Sequence, residues 1–258
     1  MSATLPVLAL AALVAAPGGT LRDQFDAGAT HYWAGRHQQA YQTWREIESF
    51  GVVDADLYYD LGNAAYQMGR VGAALGWYER ARRLDPHDGD LQANITAAEL
   101  RLAASKVVSV VEKGTAAGEG SFESWYRLFT YFTGAELAGI FGFFWIGFFV
   151  LVLLLRRMEL GTPRILLSWV SIAVLLIAIG WGALLVGSTR VADTMVVGVV
   201  TERSAQVRSG PTREGRALFE LPEGQFVRIL ERQGQWRRAL VNPSLQGWVA
   251  SSDLMEVR

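Results

Sequence analysis

The chain has 258 residues, 24 Lys plus Arg against 25 Asp plus Glu, three His and no Cys, for a formal charge of −1. Near-neutrality leaves no electrostatic basis for nucleic-acid binding, which calls for a basic surface, and the lack of cysteine excludes disulfides, thiolate metal sites and a cysteine nucleophile. The histidines, His31, His37 and His87, cannot form an HExxH helix, and neither a GxxxxGK[ST] phosphate loop nor a GxSxG elbow occurs, so the expectation is a chain with no catalytic residue, metal or cofactor. With 51% apolar and only 19% charged residues, part of it is expected to meet lipid.

The first apolar run, Leu5 to Ala16, is shorter than the roughly 20 residues a bilayer crossing requires. With small residues around Val14, Ala15 and Ala16, residues 1–19 read as a signal peptide that directs export.

Residues 21–54 and 55–88 are self-similar at one offset: Gly28 with Gly62, Tyr32 with Tyr66, Gly35 with Gly69, Ala40 with Ala74, and Trp44 with Tyr78, every pair 34 apart. That period belongs to solenoids of helix-turn-helix units. Small residues at 28, 40, 62 and 74 let two antiparallel helices approach, Trp44 and Tyr78 fill the space beside them, and Gly35 and Gly69 make the turns. Pro86 ends the second copy. Asp88 is placed to cap a further helix carrying Leu91, Ile95, Ala98 and Leu102 on one face, with Lys106 to Glu112 as its companion. In Tyr58, Leu61, Gly62, Tyr66, Gly69, Ala74, Tyr78, Ala81 and Pro86 the second copy resembles the tetratricopeptide repeat.

For residues 20–113 the resemblance implies an α-helical solenoid whose concave face receives a peptide. By repeat position that face comprises Phe25, Ala29, Tyr32 and Trp33 from the first copy and Asp56, Tyr59, Asn63, Tyr66 and Gln67 from the second. Relatives that clamp a C-terminal carboxylate carry Lys, Asn and Arg where this chain has Phe25, Ala29, Asp60 and Asp90, so carboxylate capture is not expected.

Residues 114–136 read as a linker. Gly114 to Gly120 form a flexible tether, and Phe122, Trp125, Tyr126, Phe129, Tyr131 and Phe132 form an aromatic segment suited to a headgroup layer. Thr133 and Glu136 have the capping-box spacing. Residues 137–155 and 165–187 then run without a charge; at 1.5 Å per residue they reach about 28 and 34 Å, matching a hydrocarbon core of about 30 Å. Both are expected to span as a hairpin. Its loop, 156–164, carries Arg156, Arg157 and Arg164, which predicts a cytoplasmic turn and puts both soluble parts outside the cytoplasm. Small residues four apart, Ala138 with Gly142, Ala178 with Gly182 and Ala183 with Gly187, offer packing stripes for the two helices.

After the second span, short alternating runs are punctuated by Gly, Pro and Asn, the pattern of a small all-β barrel. Expected strands are 196–200, 205–208, 217–221, 225–231, 236–241, 247–250 and 254–257. The series Val207-Arg208-Ser209-Gly210-Pro211, Leu221-Pro222-Glu223-Gly224, Gly234-Gln235-Trp236 and Gly247-Trp248-Val249 makes residues 195–258 similar to the bacterial SH3-like domains. The resemblance implies recognition of cell-wall peptides or proteins, with Trp236 and Trp248 as groove residues; a net charge of only +2 on this part makes no case for an anionic ligand.

The order signal, tetratricopeptide repeats, two spans and SH3-like domain, a multidomain membrane protein, resembles the BatE family of the bacterial Bat aerotolerance system. That resemblance implies a multi-pass inner-membrane component with both soluble domains in the periplasm, working beside von Willebrand factor A domain Bat proteins and a MoxR-type ATPase. The residues support a non-enzymatic scaffold that binds protein partners. The alternative is a cell-wall sensor that binds peptidoglycan through its SH3-like domain.

Overall fold

A computed structural model describes residues 20–109, 131–194, 196–242 and 245–257. The signal-like run, the 114–120 tether and Phe122, Trp125, Tyr126 and Phe129 lie outside the described residues. Two compact units are present, Met1–Glu123 with Val196–Arg258, and Ser124–Met195.

The first unit opens with five helices, α1 (Leu21–Trp33), α2 (His37–Ser49), α3 (Ala55–Gln67), α4 (Val71–Leu84) and α5 (Gly89–Ser109). Local chemistry sets their ends. Thr20 and Asp23 form a capping box on α1, and Asp54 accepts from Leu57 N at 3.0 Å on α3. Asp88 caps α5 through Asp90 N and Leu91 N. Gly35 and Gly69, at φ +74° and +76°, close α1 and α3 with the same pair of bonds: Gly35 N to Tyr32 O and Arg36 N to His31 O, then Gly69 N to Tyr66 O and Arg70 N to Ala65 O, all 2.9 Å. α5 runs unbroken through Ser109, so Lys106 begins no separate companion helix.

The small-to-large pairing of the repeat is visible as packing. A methyl on Gly28 would strike the Trp44 indole, and one on Gly62 the Tyr78 ring. Trp44, Leu57, Leu61, Ala74, Trp77, Tyr78 and Leu91 are among the side chains of one buried core.

The same unit contains a seven-stranded antiparallel sheet: β1 (Val196–Val200), β2 (Ser204–Arg208), β3 (Ala217–Pro222), β4 (Phe226–Gln233), β5 (Trp236–Asn242), β6 (Leu245–Ala250) and β7 (Leu254–Val257), in the order β3-β2-β6-β5-β4-β1-β7. Register shifts at Val207/Arg208, Ile229/Glu231 and Leu240/Asn242 add local twist. Side chains from all seven strands, among them Val200, Val207, Leu221, Val227, Ala239, Val249 and Leu254, meet in one core, so the sheet wraps around its own interior. Gly247 is where β6 meets β2: a methyl there would lie 2.8 Å from Arg208 O.

The helical stack and the sheet are not independent. Val199 of β1 and Val257 of β7 are buried in the core of the helices, with Phe226 and Met255 packed against it. Both faces of β1 are therefore covered, and α4 is buried on nearly every side, from Val71 through Glu79.

The second unit is a pair of long apolar helices, α6 (Gly134–Arg157) and α7 (Thr162–Thr194), each long and apolar enough to cross a membrane. Thr133 and Glu136 form the expected capping box, with Thr133 N to Glu136 Oε2 at 2.8 Å and Glu136 N to Thr133 Oγ1 at 3.2 Å. Of the small-residue stripes, Ala178 is buried, and a methyl on Gly182 would lie 3.1 Å from the Phe141 ring. Ala138 is exposed and nothing lies within 4 Å of a methyl on Gly142, so that pair faces away from the helix contact. Arg156 and Arg157 are exposed at the end of α6, and Arg164 donates to Met158 O across the turn at 3.3 Å.

Candidate functional site

The inner positions of α3 converge with α1 and α5 on a polar, aromatic floor. Asn94 Nδ2 donates to Tyr59 OH at 3.0 Å and to Asn63 Oδ1 at 2.9 Å, and Tyr78 OH donates to the same Asn63 oxygen at 2.9 Å. Asn63 also hydrogen-bonds Asp60, and Tyr32 is hydrogen-bonded to Gln67. Tyr32, Tyr59, Asn63 and Gln67 are thus brought together, and Asp60, Tyr78 and Asn94 join them. Asn63 spends its carbonyl on holding α4 and α5 to α3, through Tyr78 and Asn94.

The other groove positions are more dispersed. Tyr66 carries the Arg101 guanidinium over its ring at 5.0 Å. Phe25 is half-buried against Trp44, whose Nε1 donates to Phe25 O at 3.2 Å, and Ala29 packs against the core. Trp33 ends α1 with 85% of its surface exposed, edge-on to Tyr32. Asp56 is exposed on the first turn of α3; its carboxyl is held above the usual range by burial and by Asp54, Asp88 and Asp85.

Asp60 is the most perturbed group of the floor. Burial, reinforced by Asp56 and Asp54 and opposed by the Asn63 hydrogen bond, pushes its carboxyl from the ordinary 3.8 up to about 7. Burial and the neighbouring Tyr59, Tyr32 and Tyr66 likewise push the Tyr78 phenol up. The floor therefore offers hydroxyls, amides and a carboxyl that keeps its proton close to neutrality. Such groups suit the backbone amides and uncharged or cationic side chains of a peptide better than an anion.

A carboxyl whose folded value is raised stabilises the fold only while protonated. Its contribution is complete below the ordinary carboxylate range and is lost as pH rises from about 4 toward about 7. Asp60→Asn, which stays neutral, should raise stability by about 1–4 kcal/mol at pH 8 and change it little at pH 4. Urea unfolding of both proteins at the two pH values checks this, and an equal effect at pH 4 and pH 8 would contradict it.

On the sheet, register brings Trp236 and Trp248 to one face. Arg238 pairs directly with Trp248, and Trp236 lies two residues along the same strand. Both tryptophans are half-buried and outside the sheet's buried core. Arg208 is the cross-strand neighbour of Trp248 on the other side, but its guanidinium is occupied by Arg213 O, Gly215 O and Gln206 Oε1 at 2.7 to 2.9 Å, where it pins the β2–β3 loop.

A second set of contacts joins the sheet to α4. Gly72 N donates to Glu223 Oε1 at 2.6 Å, Arg80 donates through Nε and Nη2 to Glu256 O at 3.1 and 2.9 Å, and Arg83 Nη1 donates to Val257 O at 3.0 Å. No local motif in the sequence announces these contacts. The available signal was the run Val71 to Tyr78, which has no polar face; a helix apolar all round is one covered all round.

Comparison with known proteins agrees with this division. Residues 55–88 match the tetratricopeptide repeat family and residues 203–255 match the bacterial SH3 domain family. A search of curated proteins gives no match. The chain thus combines a tetratricopeptide repeat, two long apolar helices and a bacterial SH3 domain.

Proposed function

We propose that this chain is a non-enzymatic scaffold of a bacterial inner membrane that recruits envelope proteins through its repeat groove and SH3-like domain, within a Bat-type aerotolerance or envelope-stress complex. The observation that carries this reading is the union of two recognition modules in one folded unit on a chain with two apolar helices. Packing of the segments before α6 and after α7 against one another supports a shared compartment, as a two-span hairpin would give. Arg156, Arg157 and Arg164 at the turn favour a cytoplasmic hairpin bend and a periplasmic unit. By the resemblance drawn from module order, the partners are membrane proteins with von Willebrand factor A domains.

Crosslinking in intact cells followed by mass spectrometry tests the reading. The full chain should yield crosslinks to such membrane proteins, and Tyr59→Ala with Tyr66→Ala should reduce them at least about tenfold, as loss of aromatic anchors does. Crosslinks that persist undiminished in the double variant would remove the groove from the proposal. If the full chain instead sediments with purified sacculi and Trp236→Ala with Trp248→Ala abolishes this, the cell-wall sensor is the better account.

A further inference from the structure

We propose that the outer face of α4 is a dedicated recognition site for the SH3-like domain of the same chain, which is held there as an intramolecular subunit and not as a freely tethered module. One sign is a missing cap, which α4 shares with α2 but which only here is filled from the sheet. The residue preceding α4, Arg70, makes no side-chain cap, and no acidic residue lies in the first turn, so the helix supplies no acceptor for its own free N–H groups. Glu223, 151 positions further on, supplies one at 2.6 Å from Gly72 N. Its negative charge also complements the positive end of the helix.

Shape agrees with charge. A methyl on Gly72 would collide with the Val200 carbonyl and lie 2.6 Å from Glu223 Cγ, and one on Gly76 would lie 2.6 Å from Met255 Sδ. Two glycines inside a helix cost about 1 kcal/mol each relative to alanine, which is accounted for here by close approach of β1 and β7. In the reciprocal direction, Gly224 at φ +75° enters between Leu75 and Leu102. β7 is an edge strand, and Arg80 and Arg83 of α4 donate to its Glu256 and Val257 carbonyls, so the helix lies along that strand. Held this way, the repeat groove and the Trp236–Trp248 face keep one relative geometry. A partner that touches both loses less orientational freedom on binding than it would against two loosely linked modules.

The test uses the full chain in detergent. If the site is dedicated, Gly72→Ala should lower the melting temperature by about 3–10 °C and accelerate amide hydrogen exchange in β1 and β7. At an uncovered helical glycine the same substitution raises the melting temperature instead, so the sign decides. An unchanged or raised value, or exchange in β7 as slow as in the parent, overturns the proposal. Glu223→Ala leaves both modules' interiors untouched and keeps the question open to test if the glycine variant fails to fold. It should speed exchange over residues 72–75 at least about fivefold, and unaltered exchange there also overturns the proposal. None of these readouts involves a membrane or a partner, so their failure and failure of the scaffold reading are separate events.

Discussion

Gly62→Ala should destabilise the protein by about 1–3 kcal/mol, although alanine is the better helix former by about 1 kcal/mol. The new methyl would enter the Tyr78 ring, with Cζ only 3.1 Å away. That ring cannot swing aside. Tyr78 is buried, its hydroxyl is committed to Asn63, and Tyr59 lies against it at 6.2 Å between ring centres. Relief must come from separating α3 and α4, which would also pull Tyr78 from Asn63. Gly62→Trp should be worse. Gly89→Ala is the control, because a methyl there meets nothing within 4 Å. Chemical unfolding of the full chain checks the comparison, and equal midpoints for the Gly62 and Gly89 variants would mean that the two helices do not meet as described.

Arg80→Met should cost about 2–4 kcal/mol, through loss of an ion pair, two hydrogen bonds and ring contacts together. Arg80 Nη1 meets Glu48 Oε1 at 2.8 Å on α2, its Nε and Nη2 share Glu256 O on β7, and its guanidinium carbon lies 4.8 Å from the Trp77 ring centre and 5.6 Å from that of Tyr58. One side chain thus joins the first repeat, the second repeat and the sheet. Arg80 and Glu48 side chains are only 17% and 19% exposed, so added salt should screen the pair weakly. Arg80→Lys restores charge without the planar fork and should recover less than half of the loss. Thermal unfolding at low and high salt reads both expectations; full recovery by lysine would show that charge alone matters here.

The repeat was legible because its constraint is periodic: Gly28 against Trp44 and Gly62 against Tyr78 are the same steric demand met twice within single helix pairs. The strands were legible for a related reason, since Ala205 and Val207, or Val227 and Ile229, alternate with outward residues and record which side faces the interior. The polar floor was legible in part. Position within the repeat brought Tyr32, Tyr59, Asn63 and Gln67 to one floor, but it also nominated Trp33, which sits at a helix end and points largely to solvent. Asn94 was missed because it belongs to α5, beyond the two repeat copies, where no internal alignment reaches. Hardest to see was the union of α4 with β1 and β7. A contact between segments so distant leaves no period, only an absence of polar residues on two elements, Val71 to Tyr78 and Val196 to Val200.

The bond from Gly72 to Glu223 spans 151 positions, and that distance has a consequence for biosynthesis. At about 5–20 residues per second, translation leaves α4 without its covering partner for roughly 8–30 s, during which an apolar helix face has nothing native to bury it. The nascent repeats are thus a predicted client for holding factors in whichever compartment receives them, and maturation waits on the arrival of the last strand.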